Sequence, residues 1–166
     1  TLLVKNGAYI STSTSSRGKG GNLTVNAQDI QLIGESKDGL SASGFFTSAQ
    51  RNSTGDAGNL TISTHTLLVK DGAEVSTKTF SKGKGGDLTI NAQDVQVIGE
   101  SEDFGFSSGL FASAQPNSTG GAGNLTISTN TLLVRDGAEI STGTFGEGKG
   151  GDLTVNAQDL RLIRGK

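Results

Sequence analysis

The sequence predicts an all-β fold, a right-handed parallel β-helix, also called a β-solenoid. Three observations predict it: a long internal repeat, β-branched apolar triplets at regular intervals within each repeat, and abundant glycine between them. The stretch GKGGNLTVNAQD begins at Gly18 and returns, with small changes, at Gly83 and at Gly148, 65 residues apart each time. A repeat of this length indicates stacked units that bury their apolar surfaces against each other.

Composition favours short strands and turns. The chain has 166 residues, of which 32% are hydrophobic and 5% aromatic, with 26 glycines and one proline. A disordered chain would scatter its apolar residues, whereas here they recur in β-branched runs such as LTVN and LLVK. We therefore expect an ordered structure with a narrow core.

The triplet Leu-Thr-Val/Ile divides each repeat into two unequal coils. It begins at Leu23, Leu60, Leu88, Leu125 and Leu153, with spacings of 37, 28, 37 and 28 residues. We predict roughly five coils that alternate between 28 and 37 residues. Residues 1–166 then form a single solenoid segment, with repeats at 1–65 and 66–130 and a partial repeat at 131–166.

Each coil contains three predicted strands. In the short coil they are Leu60–Ser63, Leu67–Val69 and Ala73–Thr79, and in the long coil Leu88–Asn91, Val95–Ile98 and Gly109–Gln115. Glycine-rich turns separate them. Asn6, Asp71 and Asp136 each precede a glycine and are predicted turn residues before a glycine with positive φ.

Alternation along the first strand predicts the core, because residues i and i+2 share a face. One predicted inward column is Leu23, Leu60, Leu88, Leu125 and Leu153, and the other is Val25, Ile62, Ile90, Ile127 and Val155. Coils would stack about 4.8 Å apart. The intervening threonines, Thr24, Thr61, Thr89, Thr126 and Thr154, would face outward.

Other repeat architectures fit the sequence poorly. No window shows the i, i+3, i+4, i+7 apolar spacing of a helical solenoid, and glycine disfavours helices. A β-propeller needs four-stranded blades of even length, which the 28/37 alternation does not supply. Right-handedness follows from the usual preference of parallel crossovers rather than from any residue.

The repeats resemble those of filamentous-haemagglutinin-like exoproteins of two-partner secretion systems, especially the cyanobacterial type. The motifs are GNLTIST, TLLVKDGAEVST, GKGGDLTINAQD and SGLFASAQ, and the resemblance covers the whole chain. It implies export through an outer-membrane pore partner, a β-helical fibre outside the cell, and adhesion. The amino-terminal secretion domain of that family is not in this sequence, which favours a shaft segment.

Charge and composition bear on partners and location. The formal net charge is -2, with 14 basic and 16 acidic residues mixed along the chain, so we expect neither nucleic-acid binding nor membrane insertion. There is no cysteine, and therefore no disulfide. Thr1 is not an initiating methionine and no signal peptide is recognisable, so we expect a fragment of a longer secreted or cell-surface protein.

No motif predicts an enzyme, a metal site or a cofactor. GKGGDLTI differs from calcium-binding nonapeptides because Asp87 directly precedes Leu88 and the glycines lack a nine-residue period. His65, the single histidine, has Asn130 as its counterpart one repeat later. Asp29, Asp94 and Asp159 would lie two coils apart, about 9.6 Å, too far for paired catalytic acids in most glycosidases.

Ice binding is a further alternative, because outward threonine rows could face a lattice. The row is one residue wide, however, and the Thr-x-Thr elements at Thr12, Thr77 and Thr142 recur only in every second coil. A solvated outer face is the simpler interpretation.

Two features are candidate contact sites. Phe104 and Phe106 occupy a long-coil loop where the preceding repeat has Gly39 and Ser41. They either form an interaction loop or cover the adjacent coil. Leu3, Leu68 and Leu133 are predicted on the outward side of the second strand, where either a loop covers them or they form a lateral contact.

The sequence thus favours a non-enzymatic structural shaft segment of an adhesin. The alternative is a self-assembling extracellular filament subunit, and a polysaccharide-acting enzyme is a third hypothesis. The expected partners are further copies of the solenoid end to end, or a glycan or protein of a host or cell surface. An open β-helix end exposes unpaired strand edges, which favours continuation or stacking.

Overall fold

The computed structural model describes residues 1–164, and the regular structure there consists entirely of β-strands. The strands are β1 (Leu2–Lys5), β2 (Tyr9–Thr14), β3 (Leu23–Asn26), β4 (Asp29–Ile33), β5 (Gly44–Ala49), β6 (Leu60–Ser63), β7 (Thr66–Lys70), β8 (Glu74–Thr79), β9 (Leu88–Asn91), β10 (Asp94–Ile98), β11 (Gly109–Ala114), β12 (Leu125–Arg135), β13 (Glu139–Thr144) and β14 (Leu153–Ile163). All pairings between these strands are parallel. The prediction of an all-β, parallel structure is confirmed.

The strands form two sheets, an arrangement compatible with a parallel β-solenoid. The first sheet has the order β1-β4-β7-β10-β12-β9-β6-β3, with β14 also paired to β12, and the second has the order β13-β11-β8-β5-β2. The first sheet curls, because the long strands β12 and β14 each span a corner that separates two strands in earlier units. Three separate strand stacks were expected, and two of them merge into this one sheet.

The corner is built alike in both repeats. Thr64 Oγ1 donates to the carbonyls of Gln28 and Thr66, at 3.0 Å each. Thr129 Oγ1 makes the equivalent bonds to Gln93 and Thr131, at 3.0 and 2.9 Å. Strand β12 therefore corresponds to two strands of an earlier unit, such as β6 and β7, joined through this corner.

The pairing register follows the sequence repeat. Leu23 pairs with Leu60, Leu60 with Leu88, Leu88 with Leu125, and Leu125 with Leu153. The chain thus advances by alternating units of 37 and 28 residues, called here the long and short units. The extra residues of the long unit lie in the loops before and after its third strand, because the first two strands keep the same spacing.

The core lies between the two sheets. Leu60, Ile62, Leu88, Ile90, Leu125 and Ile127 are completely buried, and Val25 is 7% exposed. At the outermost strands of the stack, Leu23 and Val155 are half-buried and Leu153 is 43% exposed. Phe45, Val75 and Leu110 supply the opposite wall from the second sheet. Full burial of one such side chain stabilises the fold by about 1.5–3 kcal/mol.

Tight turns join the second and third strands of the short units. Asp71 has φ 57° and Gly72 has φ 87°, and the pairs Asn6–Gly7 and Asp136–Gly137 are similar. Two successive positive φ values require residues such as Asn, Asp and Gly. The predicted turn role of Asn6, Asp71 and Asp136 is confirmed.

A ladder of Asn and Asp side chains precedes the first strands. The Oδ1 of Asn22 accepts the Asn59 N–H at 2.9 Å, and the Oδ1 of Asn59 accepts the Asp87 N–H at 3.0 Å. The ladder continues with Asn124 and Asp152, at 2.8 and 2.9 Å. Only a side-chain oxygen is used as acceptor, so asparagine and aspartate are equivalent as hydrogen-bond acceptors here.

Two columns of glycine lie beside this ladder. Column one is Gly18, Gly55, Gly83, Gly120 and Gly148, and column two is Gly21, Gly58, Gly86, Gly123 and Gly151. Beyond the first member of each column, a methyl group on any of them would lie 1.8–2.2 Å from the carbonyl oxygen of the glycine in the preceding unit. Glycine is required because the backbones approach too closely for a side chain.

The Thr-x-Thr element at Thr77, considered above for the outer surface, lies inside. Thr77 and Thr79 are both 0% exposed. Alternation places them on the same face as Val75, which packs in the core. The expectation of an exposed threonine pair in this unit is therefore wrong.

The two buried threonines differ in hydrogen bonding, which predicts opposite effects of substitution by valine. Thr77 Oγ1 has no hydrogen-bond partner among residues 1–164, whereas Thr79 Oγ1 donates to the Gly83 carbonyl at 2.6 Å. We expect Thr77→Val to raise the free energy of unfolding by about 1 kcal/mol and Thr79→Val to lower it by about 1 kcal/mol. Urea denaturation of both variants tests this, and a loss of stability in Thr77→Val would contradict it.

Candidate interaction surfaces

The long units carry hairpin-like loops at residues 35–42 and 100–107. An antiparallel bridge joins Glu35 to Ala42, and another joins Glu100 to Ser107. Asp38 tightens the first loop by accepting hydrogen bonds from Ser36 Oγ at 2.5 Å and from the Leu40 N–H at 3.2 Å. The Ser36 hydroxyl, and to a smaller extent the Leu40 N–H, lower the pKa of Asp38.

Phe104 and Phe106 stack on each other in the second loop. Their ring centroids lie 6.1 Å apart at an interplanar angle of 17°, and the side chains are 45% and 53% exposed. A methyl group at Gly39 would lie 2.8 Å from Phe104 Cε2, so this ring packs on the loop of the neighbouring long unit. Both alternatives from the sequence apply, because the pair covers the adjacent loop and still presents ring surface to solvent.

The predicted lateral leucines lie on the outer surface of the first sheet. Leu3 is 50% exposed, and Leu68 and Leu133 are half-buried. Their strand neighbours at the same position are Gln31 and Gln96.

Isoleucines that the sequence reasoning missed extend this row. Strands β4, β10 and β14 carry Ile33, Ile98 and Ile163 on this same face. Each isoleucine lies two residues further along its strand than the row of the leucines. Together these side chains form a zigzag, called here the Leu/Ile stripe: Leu3, Ile33, Leu68, Ile98, Leu133 and Ile163. The period-two alternation of each strand was a signal that could have found them.

Opposite charges border the Leu/Ile stripe. One edge carries Asp29, Asp94 and Asp159, and the other carries Lys5, Lys70 and Arg135. Thr66 lies between Asp29 and Asp94 in the pairing order and donates to Asp29 Oδ1 at 2.9 Å. These carboxylates thus stand two strands apart, as the repeat spacing predicted.

His65 is exposed and lies at the corner between β6 and β7. Its carbonyl oxygen accepts the N–H groups of Gln93 and Asp94, at 3.0 Å each. The backbone of this residue therefore helps to join neighbouring units.

The outer surface of the second sheet carries a group of cavities beside β8, called here the β8 trench. Strand β8 belongs to a short unit and lies between β5 and β11 of two long units, whose longer loops rise at both of its ends. Cavities of about 330 and 500 Å³ lie at its two ends. A third cavity, of about 400 Å³, shares Phe80 with the larger one and extends from β8 across β5 to β2. Four phenylalanines line them, namely Phe46, Phe80, Phe106 and Phe111.

The largest of the three cavities has a basic rim and an aromatic floor. It is lined by Arg51, Asn52, Ser53, Thr54, Phe80, Ser81, Lys82, Pro116, Asn117 and Thr119. Its residues come from three successive units, so the linear sequence gave no sign that they converge. Among residues 1–164, neither Arg51 nor Lys82 forms an ion pair, whereas Lys78 in the middle of the trench pairs with Glu74 at 2.6 Å.

Residues 1–164 hold no cluster of three or more His, Cys, Asp or Glu side chains arranged to bind a metal ion. The same residues include no helix that could span a membrane.

Comparisons of the chain with protein-family models, with curated proteins and with solved structures gave no match.

Proposed function

We propose that the chain is a non-enzymatic shaft segment of a secreted or cell-surface adhesin, folded as a right-handed parallel β-helix of about five coils. The observation that carries the proposal is the unbroken register, in which every first strand pairs with its equivalent 28 or 37 residues away. Such a register extends a core by one layer per unit and gives a structure whose length grows with repeat number.

The same residues that repeat in sequence hold the layers together. The Asn/Asp ladder, the glycine columns and the inward leucines each contribute one member per unit. The resemblance of the motifs to filamentous-haemagglutinin-like exoproteins supports the extracellular location and export through an outer-membrane pore partner. The role proposed for this segment is spacing and display.

Duplication of one repeat tests the shaft. A variant with a second copy of residues 66–130 inserted after Asn130 should gain two coils, which lengthens the particle by about 10 Å along one axis. Its midpoint of thermal unfolding should rise, because each added interface stabilises its neighbours. Small-angle X-ray scattering measures the maximum dimension, and an isotropic increase in size would contradict the proposal.

A self-assembling extracellular filament is the second candidate, and the Leu/Ile stripe is the observation that favours it. Its acidic edge and its basic edge are complementary when two copies meet face to face with their solenoid axes parallel, and such a pair extends into a filament when further copies stack on it end to end. Sedimentation of the chain across a concentration series separates the candidates. A constant monomer supports the shaft, whereas concentration-dependent growth into fibres supports the filament.

A further inference from the structure

The basic end of the β8 trench has the composition of a site for an anionic sugar chain. We infer that this cavity binds an extended polysaccharide whose sugar rings carry anionic groups. The inference deepens the adhesin role, and rests on it for contact with extracellular glycans. Of the described residues, Arg51 and Lys82 are the only charged ones that line the cavity, and both side chains are exposed. A carboxylate fits the planar guanidinium in a bidentate arrangement.

The floor of the cavity suits a sugar ring. Phe80 is half-buried there and lies between the turns that carry Asn52 and Asn117. The apolar C–H face of a pyranose can pack on the phenyl ring, while amides and hydroxyls around it offer hydrogen bonds to the sugar hydroxyls.

The walls of the cavity are fixed before any ligand arrives. Asn52 and Asn117 have φ values of 66° and 67°, and each precedes a serine whose N–H closes a turn to the residue three positions earlier, at 3.1 Å. The hydroxyls of Ser53 and Ser81 are 2.8 Å apart in the interior and join one wall to the floor. A preformed site loses less conformational entropy when it binds a ligand.

The trench continues beyond Phe80, which favours a polymer over a single sugar. The adjoining cavity of about 400 Å³ is lined by polar side chains and by Tyr9 and Phe46. Ser76 lines it too, and its hydroxyl is buried without a partner among residues 1–164. From Phe80 this second cavity crosses β5 to Tyr9 and Ser11 of β2, which is two strand spacings or about 10 Å.

The next repeat has other residues at the key charged positions of the site. Pro116 replaces Arg51, and Glu147 replaces Lys82. Phe145 is the counterpart of Phe80 and is 70% exposed. This departure from the repeat concentrates positive charge in one place and provides a matched control residue.

Isothermal titration with a galacturonic acid hexamer tests the inference, with neutral cellohexaose as the comparison probe. The chain should bind the acidic hexamer, at least about tenfold more tightly than cellohexaose. Three variants should each weaken binding of the acidic hexamer about tenfold, because each removes one kind of contact with the sugar chain: Phe80→Ala, Arg51→Gln and Lys82→Gln. Phe145→Ala should change the affinity by less than about twofold.

Three results would contradict the inference that the cavity binds an anionic polysaccharide. Absence of binding by the unaltered chain, equal affinity for cellohexaose, or an equal loss in Phe145→Ala would each overturn the inference. Circular dichroism melting of every variant shows that it is folded, and Lys82→Gln alters only an exposed side chain. The repeat-duplication experiment reports on the shaft by a separate measurement, so the shaft proposal can stand if the glycan site fails.

Discussion

Replacement of Gly86 by alanine should lower the free energy of unfolding by about 3 kcal/mol. The added methyl group would lie 1.9 Å from the carbonyl oxygen of Gly58 and 2.6 Å from its carbonyl carbon. Both atoms are backbone within a paired stack, so they cannot move aside as a flexible side chain would. Relief requires the two units to separate locally, which weakens the hydrogen bonds of the adjacent first strands.

Gly21→Ala is the matched control. Gly21 has the same place in its unit, before an Asn/Asp and a leucine, but a methyl group there meets no atom within 4 Å. We expect a change within about 0.5 kcal/mol. Equilibrium urea unfolding of both variants measures the difference. Similar losses in the two would mean that backbone preference, and not the close approach of the units, requires glycine.

Leu88→Ala should also cost about 3 kcal/mol. Leu88 is 0% exposed, and its strand β9 pairs on both sides, with β6 and with β12. Neighbouring units hold Leu60 and Leu125 in fixed register, so the interior cannot collapse around the missing atoms. A cavity therefore remains, and its cost adds to the lost burial.

Leu153→Ala is the control that tests whether the cost of truncation comes from burial, because Leu153 has the same place in the repeat as Leu88. Leu153 occupies the same column in strand β14, but it is 43% exposed. Its truncation should cost less than about 1 kcal/mol. Thermal and urea unfolding of the pair provide the comparison, and equal costs would show that Leu88 is not held in a rigid interior.

The register of the fold could be predicted because each unit repeats the same chemistry. Leu88 and its equivalents identify the inward face by alternation, and the spacing between them gives the stacking order. Every strand predicted between Leu60 and Gln115 corresponds to an observed one within one residue at each end. Periodic features can be predicted from the sequence because residues that are neighbours in the structure lie a constant number of residues apart in the chain.

Features without a period were harder to predict. The packing of Phe104 on Gly39 depends on the heights of two loops, and the Phe80 cavity draws its walls from separate units. Thr77 was misread because an alternating Ser and Thr strand gives little hydrophobic contrast between its faces. The union of two strands in β12 likewise depends on a corner whose hydrogen bonds are not evident from sequence.

The Asn/Asp ladder has a consequence for the chemical ageing of the protein. Asparagine side chains lose their amide nitrogen slowly by hydrolysis and become aspartate. At Asn59 and Asn124 that conversion would leave the Oδ1 that accepts the next unit's N–H in place. Each event would add one negative charge to the ladder, and at Asn124 the new carboxylate would stand between those of Asp87 and Asp152 and be repelled by both. The surface charge of the protein would thus become more negative with age, and Asn124 is the position where this change would weaken the stack most.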